Sequence, residues 1–152
     1  MLGWSRRQRR FSPLPQLRNA GKGAPGSGLP AAPWLGIDMP PKTPAGWFPH
    51  RGDLCWVALD KDRPALVLSA DALNRYALDV CIVPLTTVSR PAFSLRVLLK
   101  AGEGGLRRNS WAKCDQVTTV EKALVKYPPL GHLPAARLGQ IEEAVKLALQ
   151  LL

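Results

Sequence analysis

Arg63 is the first side chain in this sequence whose position suggests chemistry. It follows a charged turn, Asp60 to Asp62, and precedes Pro64 and an apolar run, where a strand would enter a core. A guanidinium group is planar, stays charged at neutral pH and donates paired hydrogen bonds to phosphate or carboxylate oxygens. Arg63 therefore either binds a negatively charged group or is a solvated arginine at a strand end, which is the commoner case.

The other reactive side chains favour structural roles. Cys55, Cys81 and Cys114 are far apart, without the closely spaced pairs of metal sites, and two of them lie in apolar strand-like runs. Buried, reduced thiols in a cytoplasmic protein fit this pattern best, and no metal or other cofactor is predicted. His132, alone between a glycine and a leucine ahead of a helix, is interpreted as a capping or surface residue.

Short apolar runs separated by turn residues dominate the chain after residue 50. Dense strands of this length predict a small twisted sheet or barrel. Pro84 favours an edge or a bend in its strand. Ser69 is a plausible N-cap for a helical turn at 69–77, and the glycine-rich stretch 100–109 is predicted to be a loop. The predicted strands are 53–59, 64–69, 78–85, 93–99, 110–114 and 115–120.

The last twenty residues predict an amphipathic helix that begins near Pro134. Apolar residues recur there at spacings of three and four, which places them on one helical face. This face is expected to pack on the sheet, and part of it could serve a dimer interface. Its members are Leu138, Ile141, Val145, Leu149 and Leu152.

Charge is concentrated in the first third of the chain. The formal net charge is +10, and residues 1–50 contribute seven Lys/Arg against one Asp. A basic protein of this kind favours a polyanionic partner. Residues 1–49 also hold nine of the fifteen prolines and show no helical or strand periodicity, so they are predicted to be a disordered leader. Met39 is an alternative start of translation.

The leader does not resemble an export signal. The basic stretch "RRQRR" at 6–10 is not followed by an apolar run, so neither Sec nor twin-arginine export is supported. The chain has no apolar segment near the ~18 residues that a transmembrane helix requires. A location in the cytoplasm and no association with membranes are therefore predicted.

From residue 51 onward the order of motifs resembles the MazF/PemK family of bacterial toxins. The resemblance rests on five pieces in the right order, and it predicts a toxin domain over residues 50–152. The pieces are "RGDLCWVAL" (51–59), "RPALVLSADALNR" (63–75), "VCIVPLTT" (80–87), "SWAKCDQVTTVEK" (110–122) and the helix after "GHLP" (131–134).

The resemblance implies a mainly β fold, a small SH3-like barrel of the PemK/CcdB type with a C-terminal helix. It also implies a homodimer that cleaves single-stranded RNA selectively, without a metal, and is inhibited by a cognate antitoxin. Arg63 and Thr86 match the family's catalytic pair, and Thr87 replaces Thr86 if the register slips by one. In this chemistry the 2′-hydroxyl attacks the neighbouring phosphate, and Arg63 and Thr86 would stabilise the developing charge.

Other residues receive supporting roles in this interpretation. Asp60 and Asp62 are candidates for orienting Arg63, although solvated carboxylates are an equally simple interpretation. Arg90, Arg107 and Arg108 could follow an RNA backbone, as could the nearby Arg96, or be ordinary surface charge. Trp56 and Trp111 lie in strand runs, where core packing is favoured over base stacking.

One feature departs from the family. Only "DKD" separates the first strand from Arg63, where the family usually has a longer glycine-rich loop over the active site. The short connection favours an alternative function, a non-catalytic binding module that holds an antitoxin or, like the gyrase-poisoning toxins of this fold, another target. A basic RNA- or DNA-binding domain unrelated to toxins is the third possibility.

Overall fold

The computed structural model describes residues 41–89 and 95–151. Within them the chain forms a mainly β fold with one long C-terminal helix, as the sequence predicted. The strands are β1 (Asp53–Ala58), β2 (Asp62–Val67), β3 (Asp79–Thr86), β4 (Arg96–Leu99), β5 (Ser110–Lys113), β6 (Thr118–Glu121) and β7 (Gly131–His132), and the helices are α1 (Asp71–Tyr76) and α2 (Ala135–Leu149).

All pairing between these strands is antiparallel, and β3 is the centre of the sheet. The order is β4-β5-β3-β2-β1-β7, and β6 also pairs with β3. On one side, β3 pairs with β2; on the other, its residues Asp79–Ile82 pair with β6 and its residues Leu85–Thr86 with β5. One long strand thus joins the two halves of a curved sheet.

Pro84 lies between these two ladders in a central strand, so of the two predicted alternatives, an edge or a bend, the edge is wrong. The carbonyl of Cys81 accepts a hydrogen bond from Leu68 N on the β2 side. Because backbone groups alternate in direction along a strand, an N–H at residue 84 would point to the opposite side, into the gap between β6 and β5. The proline therefore removes no ladder bond there.

Alternating strand residues build two buried clusters, one on each face of the sheet. Burial of aliphatic side chains on this scale is the main favourable contribution to folding, about 1.5–3 kcal/mol for each large side chain. The first cluster includes Leu54, Leu66, Val83, Leu85 and Ala112 with Ile141 and Val145 of α2. The second includes Cys55, Val57, Ala65, Val67, Val80 and Ile82 with Val120 of β6.

Several local predictions differ from the structure. Ala70, not Ser69, caps α1, because the Ser69 hydroxyl accepts from Cys81 N and contacts Asn74 Oδ1. The strand predicted at 115–120 begins only at Thr118, because the chain turns between Lys113 and Gln116, where a 2.9 Å backbone hydrogen bond closes the turn. The short strand β7 was not predicted.

The predicted apolar face of α2 is only partly buried. Leu138, Ile141 and Val145 pack in the first cluster, but Leu149 is 51% exposed, so its predicted place in the core is wrong. Leu152 and the predicted leader up to residue 40 lie outside the described residues. Trp47 packs its ring edge-on to Tyr127, at a centroid distance of 5.2 Å. The leader boundary at residue 49 stays a prediction.

Candidate active site

The pairing of β2 and β3 places Arg63 beside Thr86. The observed register aligns Ala65 with Pro84 and Leu66 with Val83. Continued by two residues, it sets Arg63 opposite Thr86, and such cross-strand pairs have Cβ atoms roughly 5 Å apart. Both side chains then project from the face opposite to the first buried cluster.

Arg63 and Thr86 line one shallow pocket of about 250 Å³. Its other lining residues are Val88, Arg96, Lys113 and Gln116. Three of the six lining side chains are cationic and none is a carboxylate. The field of three neighbouring cations makes this pocket suited to an anion such as a phosphodiester.

The Arg63 side chain is 38% exposed and has one carboxylate near it. Asp60 Oδ2 lies 3.6 Å from Arg63 Nη2, and the Asp60 side chain is 71% exposed. An ion pair this exposed contributes at most about 1 kcal/mol, so the guanidinium can still bind an anion. Asp62 is on the other face of β2, where it forms an ion pair with Lys126. The structure therefore brings Asp60, but not Asp62, to Arg63.

The Thr86 hydroxyl is already oriented by the backbone. Its Oγ1 accepts a 3.2 Å hydrogen bond from Val88 N, which leaves the O–H free to donate. Thr87 is turned to the other face, as expected for adjacent strand residues, and lines a different cleft. Only one of the two threonines shares a pocket with Arg63.

That second cleft, of about 430 Å³, is mostly apolar and has two arginines at its rim. The predicted RNA-binding residues Arg107 and Arg108 line it, so they are not grouped with Arg63.

Trp56 also lines this cleft and is 41% exposed, so the expected core position of Trp56 is wrong. Arg90 lies outside the described residues. The remaining lining residues are Pro64, Thr87, Gly105, Leu106, Ser110 and Leu130.

His132 is paired elsewhere. Its Nδ1 is 3.0 Å from Asp53 Oδ1, at the start of β1. Arg63 is opposite Val57, four residues further along that strand, which corresponds to roughly 13 Å. His132 is therefore not among the residues that line the pocket of Arg63 and Thr86.

The buried thiols are poor nucleophiles. Burial, with the negative charge of Asp53 as a second cause, raises the pKa of Cys55 to about 12. Burial likewise raises the pKa of Cys114 to about 11. Both thiols stay protonated at neutral pH, so they act as small apolar core residues.

Sequence reasoning missed Lys113 and Gln116 as members of the pocket. Lys113 enters it because β5 pairs with β3 through Thr86 and Trp111, and Lys113 is two residues along β5 on the same face. Gln116 follows in the turn after β5. The alternation in "SWAKC" predicts that Lys113 lies on the same face as Trp111. No local sequence pattern identifies β3 as the strand that pairs with β5.

The described ranges, 41–89 and 95–151, contain neither a membrane-spanning helix nor a cluster of metal ligands. No helix there is long and apolar enough to span a membrane. No group of three or more His, Cys, Asp or Glu side chains in these ranges is arranged to hold a metal ion.

Residues 50–149 match the family described as PemK-like, MazF-like toxins of type II toxin–antitoxin systems. The chain belongs to this family. The match contains Arg63, Thr86 and the whole sheet, and it confirms the resemblance found in the motifs.

Individual relatives agree with this assignment. Endoribonuclease MazF9 of Mycobacterium tuberculosis is 32% identical over 116 residues, which cover 67% of this chain and 97% of that protein. A solved endoribonuclease from a mycobacterial species in complex with its cognate antitoxin is 28% identical, with a TM-score of 0.61, and the match covers 68% of this chain and 97% of that one. The toxin MazF-mt6 of Mycobacterium tuberculosis, also solved, is 27% identical with a TM-score of 0.60, covering 65% and 97%.

Proposed function

We propose that this chain is the toxin of a type II toxin–antitoxin pair and a metal-independent, sequence-selective endoribonuclease that acts on single-stranded RNA in the cytoplasm. The observation that carries the proposal is the shared pocket of Arg63 and Thr86, lined by two further cations. The similarity to proteins named endoribonucleases supports the reaction class.

The proposed reaction is attack of a 2′-hydroxyl on the adjacent phosphorus. The 2′-hydroxyl loses its proton to water as a bond forms from the 2′-oxygen to phosphorus. The bond from phosphorus to the 5′-oxygen breaks, and the departing oxygen takes up a proton from water, so the products are a 2′,3′-cyclic phosphate and a 5′-hydroxyl. Arg63 binds two non-bridging oxygens with its fork, and Thr86 donates its free O–H to the same phosphate. Both contacts strengthen as negative charge accumulates in the transition state, so they accelerate the reaction.

Asp60 is assigned an orienting role. Its carboxylate approaches Arg63 from the hairpin turn, at 3.6 Å. A carboxylate at this position restricts the guanidinium without entering the pocket, since Asp60 is not among the lining residues. Neither Arg63 nor Thr86 is a base at neutral pH, so the rate enhancement is assigned to charge stabilisation.

Thr86→Val is expected to lower kcat by about 10²-fold, the effect of removing one preorganised hydrogen-bond donor. Valine keeps the shape and the strand propensity of threonine, so the fold should be retained. The matched control is Thr87→Val, the same change one residue away on the other face, which should leave kcat within a factor of about two. Equal losses in the two variants would contradict the assignment of Thr86.

The proposed partners are a cognate antitoxin and a second copy of the chain. The mycobacterial relative solved with its antitoxin supports the first. The second is supported by the C-terminal end of α2, where Leu147, Leu149 and Leu151 are all more than half exposed. Three large apolar side chains exposed within five residues of chain are consistent with such an interface.

The test is cleavage of a long single-stranded RNA by the purified chain in excess EDTA, with both product ends mapped. We expect cuts at one short recurring sequence, with cyclic phosphate and 5′-hydroxyl ends. Activity that disappears in EDTA and returns with a divalent cation would contradict metal independence, and cuts without a shared sequence would contradict selectivity.

A second candidate function is a non-catalytic binding module on the same fold, directed at an antitoxin, gyrase or nucleic acid. The three-residue connection Leu59–Lys61 between β1 and β2 favours it, since so short a turn has little chain with which to cover a bound RNA. A correctly folded protein that cleaves no RNA, with or without EDTA, would select this function.

A further inference from the structure

Arg96 and Lys113 form a cation pair across two strands next to the Arg63 pocket. They are directly opposite each other in the β4–β5 ladder, and both line the pocket. Like charges at such positions destabilise a sheet. Either position could carry a neutral residue without loss of buried surface. The fold therefore does not require this pair of cations, which suggests that a ligand does.

Neither cation is neutralised by a carboxylate within the part of the chain that the structure describes. The ion pairs found there use other basic residues: His50, Arg51, Arg63, Lys126, His132, Arg137 and Lys146. Arg96 Nη1 lies 3.5 Å from the carbonyl oxygen of Val88, a long contact that points the guanidinium towards the end of β3. The positive charge is thus concentrated beside Thr86.

The distance from Thr86 to Lys113 fits the spacing of phosphates along a nucleic acid backbone. Thr86 is opposite Trp111 in the β3–β5 ladder, and Lys113 is two residues further along β5 on the same face. Lys113 is therefore the diagonal neighbour of Thr86, and residues in this relation lie roughly 7–8 Å apart. This distance is close to the separation of neighbouring phosphates in an extended single strand.

We infer that Arg96 and Lys113 bind the phosphate adjacent to the scissile one, which Arg63 and Thr86 hold. This inference rests on the proposed function and specifies how the substrate is positioned. It also compensates for the short Leu59–Lys61 turn: a groove that this turn is too short to cover must hold RNA through charge. Arg96 and Lys113 are therefore positioning residues that contribute to binding and not to the chemical step.

Binding is measured with a fully 2′-O-methylated oligoribonucleotide, which has no attacking hydroxyl, by fluorescence anisotropy at salt concentrations from about 50 to 200 mM. Each neutralised phosphate in a single strand contributes about 0.7 to the slope of log K against log salt. Because Arg96 and Lys113 are assigned to one phosphate, the Arg96→Gln/Lys113→Gln double variant is expected to reduce the slope by about 0.7, and Lys113→Gln by a part of this. Lys113→Arg should restore the wild-type slope.

The matched control is Lys146→Gln, which removes the same charge from α2, on the face opposite to the pocket. Its slope should equal that of the wild type. In cleavage assays the double variant should show a raised KM with kcat unchanged at saturating RNA, the opposite of a catalytic defect. An unchanged slope and KM in the folded double variant would overturn the inference.

The two proposals fail in different ways. If the wild type binds the methylated strand but cleaves no RNA, the catalytic proposal fails, and the slopes still decide whether Arg96 and Lys113 contact phosphates. If the wild type cleaves RNA and the double variant matches it in slope and KM, only the second phosphate position is wrong.

Discussion

Arg63→Ala is expected to lower kcat for RNA cleavage by about 10³- to 10⁵-fold, the range for removing an arginine that stabilises a phosphoryl transition state. Among the described residues, the guanidinium is the one charged group that the β2–β3 register sets directly beside Thr86. The fold should be retained, because the side chain is 38% exposed and its ion pair with Asp60 is solvated.

Two further variants make this result specific. Arg63→Lys keeps the charge but loses the planar fork, so it should recover only a small part of the lost rate. Arg75→Ala removes an arginine from α1, where its guanidinium lies 5.3 Å from the centre of the Tyr76 ring, and it should cleave like the wild type. kcat at saturating RNA and the urea midpoint would be measured for each. A fully active Arg63→Ala protein would exclude the proposed mechanism.

The elements of the fold were predictable because their signals are local. The short apolar runs of β2 and β3 follow from burial of both faces of the sheet, and the spacing of Leu138, Ile141 and Val145 follows from burial of one helical face. Periodicity does not say where a packing surface ends, and this is why Leu149 was assigned to the core. Ser69 was assigned as a cap because its type favours one, but its hydroxyl is used by Cys81 N, twelve residues away.

The site was predictable only as far as the family resemblance reached. Resemblance supplied Arg63 and Thr86, and the register then explains why these two positions face each other. Lys113 and Gln116 come from the far side of β3, and their approach depends on strand order, which no sequence period encodes. Arg107 was predicted from its charge to follow an RNA backbone or to be surface charge, and the fold places it at the apolar cleft, outside the pocket of Arg63.

Sequence reasoning also missed the packing of the loop between β4 and β5. Its glycines predicted a loop, but not the close contact of that loop with the backbone before β7. Gly105 has φ +77°, and a Cβ there would lie 1.9 Å from the carbonyl oxygen of Leu130. Leu130 is itself held by the hydrogen bond from its N–H to Leu54 O, at 2.6 Å. The clash thus involves backbone that is fixed to β1 and leads into β7.

Gly105→Ala is therefore expected to destabilise the protein by about 3 kcal/mol or more, because left-handed backbone strain and a backbone clash act together. Gly102→Ala is the matched control: the same loop and a φ of +95°, but with no atom within 4 Å of the added Cβ. It should lose only the strain, about 1–2 kcal/mol. Urea unfolding of both variants would measure the difference. Equal losses would mean that Leu130 moves aside and that the contact between this loop and the start of β7 does not hold the sheet edge.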